Sequence, residues 1–395
     1  MRADNAMRTL SFILACACAL PVAYAADRDD PAVSRNMEAL LVKSLLSVSN
    51  NKLDVALHEV DSVLKINPNF KLAQLVRGDL LLARSRPLNN FGNDTTGRMD
   101  DLRDEARIRL QRIQEQPSST MVPRFLWQMD ARQHYAIVVD ISKSTLYLYE
   151  NVNGEPRYVA DYYISSGKRG SEKLVEGDQK TPLGVYFVNA RLPKSQLTDF
   201  YGDAAFPLNY PNEWDRKQGH NGHGIWLHGT PSDTYSRPPR ASNGCVVLTN
   251  EDLDRLGKVV QVGVTPVIIT NHMDWSDAQE MAERSALLGE IEQWRADWVS
   301  LDADTYLKHY ASSFFGNGMN LPAWTQQKKQ VNAGKTWIKV NLSNMSIFAY
   351  PNQPDLVVVN FEQDYSSSNL SNRMKKRQYW IKHDGRWQIV YEGAA

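Results

Sequence analysis

Apolar positions recur at three- and four-residue intervals through residues 35–84, first Leu40, Leu41, Leu45 and Leu46, then Val55, Ala56, Val60, Val63 and Leu64. That period predicts amphipathic helices. Asn67-Pro68-Asn69 punctuates the run, and 72–83 resumes it as a further helix. Residues 86–98, rich in Asn, Gly, Thr and Asp, read as loop, 100–116 as a charged helix, and Gln116-Pro117-Ser118-Ser119-Thr120 as a boundary. Between 134 and 270 the period drops to two. Residues 135–139 and 145–149 are predicted strands, the second alternating Leu with Tyr as a sheet with one buried face would. Val152-Asn153-Gly154 predicts a hairpin turn and 158–164 the next strand. Beyond 276 two helices, 277–299 and 303–314, are expected ahead of strands around 337–341, 345–350, 356–365, 377–383 and 387–391. Helices followed by a meander of long strands suggest an α+β sheet curling around a helix.

At 395 residues the chain calls for two or three domains. Forty-five Lys and Arg balance forty-five Asp and Glu, so charge gives no case for nucleic acid or an anionic membrane surface as partner. Residues 10–22 are largely apolar, follow Arg2 and Arg8, and run into Ala23-Tyr24-Ala25. This predicts a cleaved export signal over 1–25, too short for a transmembrane segment, and a mature protein outside the cytoplasm. Ile13-Leu14-Ala15-Cys16 offers the rival reading of a lipoprotein acylated at Cys16. Under cleavage Cys16 and Cys18 leave, and Cys245 alone remains. A lone exported thiol has no disulfide partner in its own chain. In Ser242-Asn243-Gly244-Cys245, with His228-Gly229 seventeen positions upstream, it reads as a nucleophile with its base. His220, His223 and His228 cluster, but no carboxylate or second thiol stands as a fourth ligand, so no metal and no cofactor are expected.

Three stretches carry resemblances. Residues 51–83 resemble a tetratricopeptide repeat, with Ala56 and Pro68 at its small-residue and proline positions. One repeat cannot bury both faces. The segment is therefore a helical hairpin docked on the next domain or on a second subunit (a homodimer through these helices), or else a peptide-binding array. Residues 134–270 resemble the L,D-transpeptidase (YkuD) catalytic domain through Val139-Asp140, Leu146-Tyr147-Leu148-Tyr149, Gly177-Asp178, Thr181-Pro182-Leu183-Gly184, His228-Gly229-Thr230 and Gly244-Cys245. Residues 277–395 resemble the nuclear-transport-factor-2-like fold, a cone-shaped α+β sheet, through Glu290-Ile291-Glu292-Gln293-Trp294, Asp302-Ala303-Asp304, Tyr310-Ala311, Tyr379-Trp380-Ile381 and Trp387-Gln388-Ile389-Val390. The organisation expected is a signal peptide over 1–25, a helical segment over 26–120, a β-rich catalytic domain over 134–270 and the cone-shaped domain over 277–395.

The transpeptidase resemblance implies a site. Cys245 attacks, His228 takes the proton, and the Gly229 carbonyl orients the imidazole in place of an aspartate. Main-chain N–H groups of Asn243, Gly244 and Cys245 are the oxyanion donors. Tyr210, Trp226, Arg240 and Ser242 are candidate substrate contacts. Two departures stand out: Asn243 replaces the family's second histidine, and Val247 occupies a position where arginine or asparagine is frequent. Arg240 or Arg237 is left to recognise a substrate carboxylate. The three segments together look like the periplasmic L,D-carboxypeptidases that set helical cell shape. That implies peptidoglycan stem tetrapeptides as substrate, opened at the diamino acid–D-alanine bond through a thioester that water or an amine resolves. The alternative is a catalytically inactive peptidoglycan-binding scaffold.

Overall fold

The computed structural model describes residues 37–87, 91–93, 97, 99–118 and 121–395; the expected export signal over 1–25 and Cys16 lie outside the described residues. Four helices come first: α1 (Met37–Ser49), α2 (Leu53–Ile66), α3 (Lys71–Ala83) and α4 (Asp100–Gln114). The three- and four-residue spacing puts Leu41, Leu45, Ala56, Val60, Val63, Leu72 and Val76 into one core. This core is closed by Tyr235 from the next domain, whose ring lies 4.3 Å from that of Phe70. Arg109 on α4 is fully buried, held by Glu105 at 2.8 Å and by Glu38, with its guanidinium 3.9 Å from the Tyr163 ring. Arg112 joins Glu38 on α1 to Asp161 of the next domain at 2.7 and 2.6 Å. Buried charges are tolerated only when paired in this way. The helices are docked on the catalytic domain.

After β1 (Leu126–Gln128) come β2 (Tyr135–Asp140), β3 (Thr145–Val152), β4 (Glu155–Tyr163), β5 (Ser166–Gly167), β6 (Gly184–Phe187), β7 (Leu192–Pro193) and β8 (Ala204–Pro207). A short helix α5 (Glu213–Lys217) leads to β9 (Trp226–His228), β10 (Arg240–Ser242), β11 (Val246–Val247), α6 (Asn250–Gly257) and β12 (Pro266–Thr270). One sheet has the order β4-β3-β2-β12-β6, with β2 and β12 parallel; a second has the order β11-β9-β8-β7, and β10 pairs with β5. Ile137, Val139, Leu146 and Leu148 face the core between the first two sheets. Tyr147 and Tyr149 do not face solvent, as the Leu/Tyr alternation suggested. With Ala136, Val138 and Phe187 they pack against the C-terminal domain, so this sheet is buried on both faces. A tyrosine buries its ring as readily as it wets its hydroxyl, which is why the alternation misled.

The C-terminal domain opens with α7 (Ala278–Val299) and α8 (Ala303–Leu307), then β13 (Tyr310–Gly316), β14 (Met319–Asn320), α9 (Leu321–Ala333), β15 (Ile338–Ala349), β16 (Leu356–Ser367), β17 (Ser371–His383) and β18 (Arg386–Ala394). The helix expected over 303–314 stops at Leu307. Tyr306, Tyr310 and Phe314 are four apart, a helical signature, yet Tyr310 and Phe314 also satisfy a period of two, and pairing of β13 with β18 decides for strand. The seven-stranded order is β1-β15-β16-β17-β18-β13-β14, so a strand that precedes the catalytic domain in sequence becomes the edge of the C-terminal sheet. Its concave face holds Trp294, Trp298, Trp324, Trp380 and Trp387. Its other face carries Phe348, Tyr350, Val358 and Tyr379 onto the catalytic sheet. Helix α5 seals that seam: Trp214 stacks on Tyr379, Glu213 pairs with Arg377 at 3.1 Å, and Asn212 Nδ2 donates to the Tyr350 hydroxyl at 3.1 Å. Phe348, wholly buried 6.2 Å from the Phe187 ring, is central to the interface. Phe348→Ala is expected to cost about 3–5 kcal/mol, read as a lowered denaturant midpoint followed by fluorescence.

Candidate active site

Strand β9 alternates: Ile225 and Leu227 point into the core, which leaves Trp226 and His228 on the opposite face. Strand β11 runs parallel to it with Val246 opposite Leu227 and Val247 opposite His228. Extending that register by one residue sets Cys245 abreast of Trp226, on the face that carries His228, one pleat repeat away. Residue type and sheet register together thus bring a thiol and an imidazole to the same surface. The Cys245 thiol donates to the Gly224 carbonyl at 3.2 Å. It is half-buried.

His228 is buried, and its Nδ1–H donates to the Gly229 carbonyl at 2.7 Å. A carbonyl oxygen only accepts, so Nδ1 carries the proton and Nε2 keeps its lone pair. The rings of Tyr201 and Phe200 lie 5.1 and 6.1 Å from the imidazole. Burial pushes the His228 pKa down to about 4, helped by the Arg237 charge, while the Gly229 and Tyr201 carbonyls oppose the shift. Burial raises the Cys245 thiol, against the Trp226 N–H and the charges of Arg237 and Lys173. Both shifts favour the uncharged form, so the resting pair is thiol and neutral imidazole rather than thiolate and imidazolium.

The loop that carries the thiol is fixed from three sides. The Ser242 hydroxyl donates to the Cys245 carbonyl at 2.6 Å and accepts the Gly244 N–H at 3.0 Å. Thr181, buried, donates to the Gly244 carbonyl at 3.0 Å and accepts the Gly167 N–H at 2.9 Å. Gly244 has φ +124°, and a Cβ there would come within 2.6 Å of the Lys180 carbonyl, so no other residue fits. Thr249 caps α6 by accepting from the Asp252 N–H at 3.1 Å, which anchors the segment after β11. Asn250 donates to the Thr230 carbonyl at 2.9 Å and fills the space where a Cβ on Gly229 would lie. Thr181→Val keeps the volume but leaves the Gly167 N–H buried without its acceptor. It should cost about 1–3 kcal/mol and slow turnover, checked by thermal melting alongside kcat.

Several of the expected site residues find other places. Tyr210 is 6% exposed, its ring 5.9 Å from that of Tyr186 and its hydroxyl donating to the Asn221 carbonyl, so it fills core rather than facing a substrate. Arg240 reaches Asp104 on α4 at 3.7 Å, drawn away by a carboxylate that sequence could not place. The Gly244 N–H, expected as an oxyanion donor, is engaged by Ser242, whose side chain is a buried brace rather than a substrate contact. Trp226 is half-buried against Tyr201, ring centroids 4.8 Å apart, and Asn243 is exposed at the loop tip. His220 and His223 turn to Asp215 at 3.4 Å and Glu176 at 3.6 Å. Sequence reasoning missed Thr181, Tyr201, Phe200 and Lys173 as neighbours of the site. Thr181 stands in the sequence only as part of the Thr181-Pro182-Leu183-Gly184 run that carries the family resemblance, with no role of its own.

Comparison with known proteins identifies the two larger domains. Residues 134–269 match the model of the L,D-transpeptidase catalytic domain, YkuD, and residues 286–393 match the Cds6 C-terminal NTF2-like domain. The chain thus carries an L,D-transpeptidase (YkuD) domain followed by an NTF2-like domain. Among solved structures, Bd1075 of Bdellovibrio bacteriovorus aligns with TM-score 0.61 at 28% identity, over 70% of this chain and 99% of that one. Pgp2 of Campylobacter jejuni, described as a helical cell shape determining protein, aligns with TM-score 0.59 at 26% identity, over 68% and 95%. No curated protein matches the chain. Among the described residues no helix is long and apolar enough to cross a membrane.

Proposed function

We propose that the chain is a periplasmic cysteine acyl-transfer enzyme acting on peptidoglycan stem tetrapeptides at the diamino acid–D-alanine bond. The observation that carries this reading is the Cys245 thiol on the same strand face as an imidazole whose Nδ1 is locked on the Gly229 carbonyl. As sulfur attacks the carbonyl of the L-centre, His228 Nε2 takes the thiol proton. The oxyanion is met by the main-chain N–H groups of Asn243 and Cys245, since that of Gly244 is engaged. Collapse breaks the peptide bond, and the imidazolium returns its proton to the leaving amine of D-alanine. A thioester remains on Cys245. Water, deprotonated by the same imidazole, then releases a tripeptide carboxylate and regenerates the thiol. An amine from another stem would give a crosslink through the same acyl-enzyme. The pairing with an NTF2-like domain, shared with the helical-shape proteins, favours hydrolysis and an L,D-carboxypeptidase. The test is digestion of purified muropeptides, products separated by mass. Tripeptide supports hydrolysis, dimers support crosslinking, and an unchanged tetrapeptide overturns both.

A further inference from the structure

Two cations bear on the Cys245 sulfur, Lys173 and Arg237, and they differ in one respect. Lys173 is 4% exposed and already neutralised: its Nζ donates to Asp178 at 2.8 Å and to the Val175 carbonyl at 2.9 Å. Arg237 has no carboxylate within 4.0 Å among the described residues. Its Nη2 donates only to the Phe200 carbonyl, at 3.3 Å, and its guanidinium lies 4.5 Å from the Phe200 ring centroid. That ring in turn stands 6.1 Å from the imidazole of His228. A half-buried guanidinium one aromatic ring away from the catalytic base, without an anion, has lost hydration and gained little in return.

The chain nevertheless holds it there. Tyr235, two residues before, is buried in the core of the N-terminal helices against Phe70. The Ser236 hydroxyl donates to Glu105 at 2.8 Å, and Glu105 is itself paired with the buried Arg109. The Arg237 carbonyl accepts the Tyr163 hydroxyl at 3.0 Å. The two residues before Arg237 are therefore tied to the helical domain and its own carbonyl to β4, while its guanidinium lies against the Phe200 ring that borders the site. Arg240, three residues on, is exposed and reaches toward Asp104 at 3.7 Å, and Val247, where the family frequently carries arginine or asparagine, is buried in β11.

We infer that Arg237 is the counter-ion of the substrate's terminal carboxylate, and that the N-terminal helices hold it where that carboxylate falls. The inference rests on the proposed L,D-cleavage. There the leaving residue is the last of its stem, so only about 3.5 Å of chain separates the scissile carbonyl from the terminal carboxylate. A guanidinium held one aromatic ring from the His228 imidazole meets that carboxylate with charge-assisted hydrogen bonds. Stems that continue past the leaving residue, or whose last carboxylate is capped, lose this contact. The site is thereby restricted to trimming a free end.

The test uses two tetrapeptide substrates, one ending in D-alanine with a free carboxylate and one ending in its carboxamide, each with the full chain and with Arg237→Gln and Arg237→Lys. The wild type should prefer the free acid by roughly 10–100-fold in kcat/KM, mostly through KM, the worth of a hydrogen bond to a charged partner. In R237Q the preference should fall toward one through loss on the acid, with R237K in between. Thermal melting reports folding of the variants, and the wild-type comparison stands even where a variant does not fold. Equal cleavage of acid and carboxamide by the wild type, or an undiminished preference in folded R237Q, overturns the inference while the proposed activity stands. Cleavage of neither substrate overturns the activity itself.

Discussion

Cys245→Ala should abolish turnover of tetrapeptide muropeptides, with kcat/KM lower by about 10⁴–10⁶-fold, the size seen when a covalent nucleophile is removed from a hydrolase. The fold should survive, because the sulfur's polar contacts are few: it donates to the Gly224 carbonyl and accepts from the Trp226 N–H. The brace formed by Ser242 and Thr181 uses main-chain atoms of Gly244 and Cys245, which alanine at 245 retains. The measurement is product release by mass, with melting temperature as control. An alanine variant that still yields tripeptide would remove the nucleophile from the account. Cys245→Ser is a sharper control: its hydroxyl fits the space but is far harder to deprotonate with a base as weak as this imidazole.

His228→Gln should slow the reaction by about 10²–10⁴-fold, the usual worth of a positioned acid–base group. Its pH signature is more telling than its size. With the imidazole pushed down to about 4, His228 is neutral through the whole ordinary range and becomes charged only as pH falls through that value. The base form is the active one, so kcat/KM should rise as pH climbs through about 4 and then level off. Burial raises the thiol, so the alkaline limb should lie above the range of a free cysteine. A resting thiolate–imidazolium pair would behave in the opposite way, with rapid alkylation of Cys245 well below neutrality. Iodoacetamide rates measured from acid to alkaline pH separate the two, and the arrangement described here requires slow alkylation at neutral pH that accelerates only in base.

Much of the site was legible because its chemistry is local. A thiol behind Gly244 and a histidine followed by glycine suggest their proposed roles by their residue types. The reasons for those glycines were not legible. Gly229 is required because Asn250, on the helix after β11, fills the place a side chain would take, and Gly244 because the Lys180 carbonyl passes close by. Both partners arrive through sheet register, which a single sequence does not display. The role of Thr181 was hidden for the same reason: its two hydrogen bonds join segments that only the fold brings together. Choosing between Arg237 and Arg240 needed the N-terminal helices, which hold Tyr235 and Ser236 ahead of Arg237 and offer Asp104 to Arg240. In the fold, the helices and strands followed their hydrophobic periods except where one pattern fitted two structures. Tyr306, Tyr310 and Phe314 read as a helix face and became helix end and strand. Tyr147 and Tyr149 read as an outer face and became the seam between two domains.

The acyl-enzyme itself gives the most direct measurement. Protein mixed with a disaccharide tetrapeptide, quenched in acid within the first turnovers and weighed intact, should gain the mass of the muropeptide less D-alanine. Peptide mapping should place that adduct on Cys245, and His228→Gln should delay its appearance. An enzyme that releases D-alanine with no adduct on Cys245, or a protein that leaves the muropeptide untouched, would contradict covalent catalysis by this thiol.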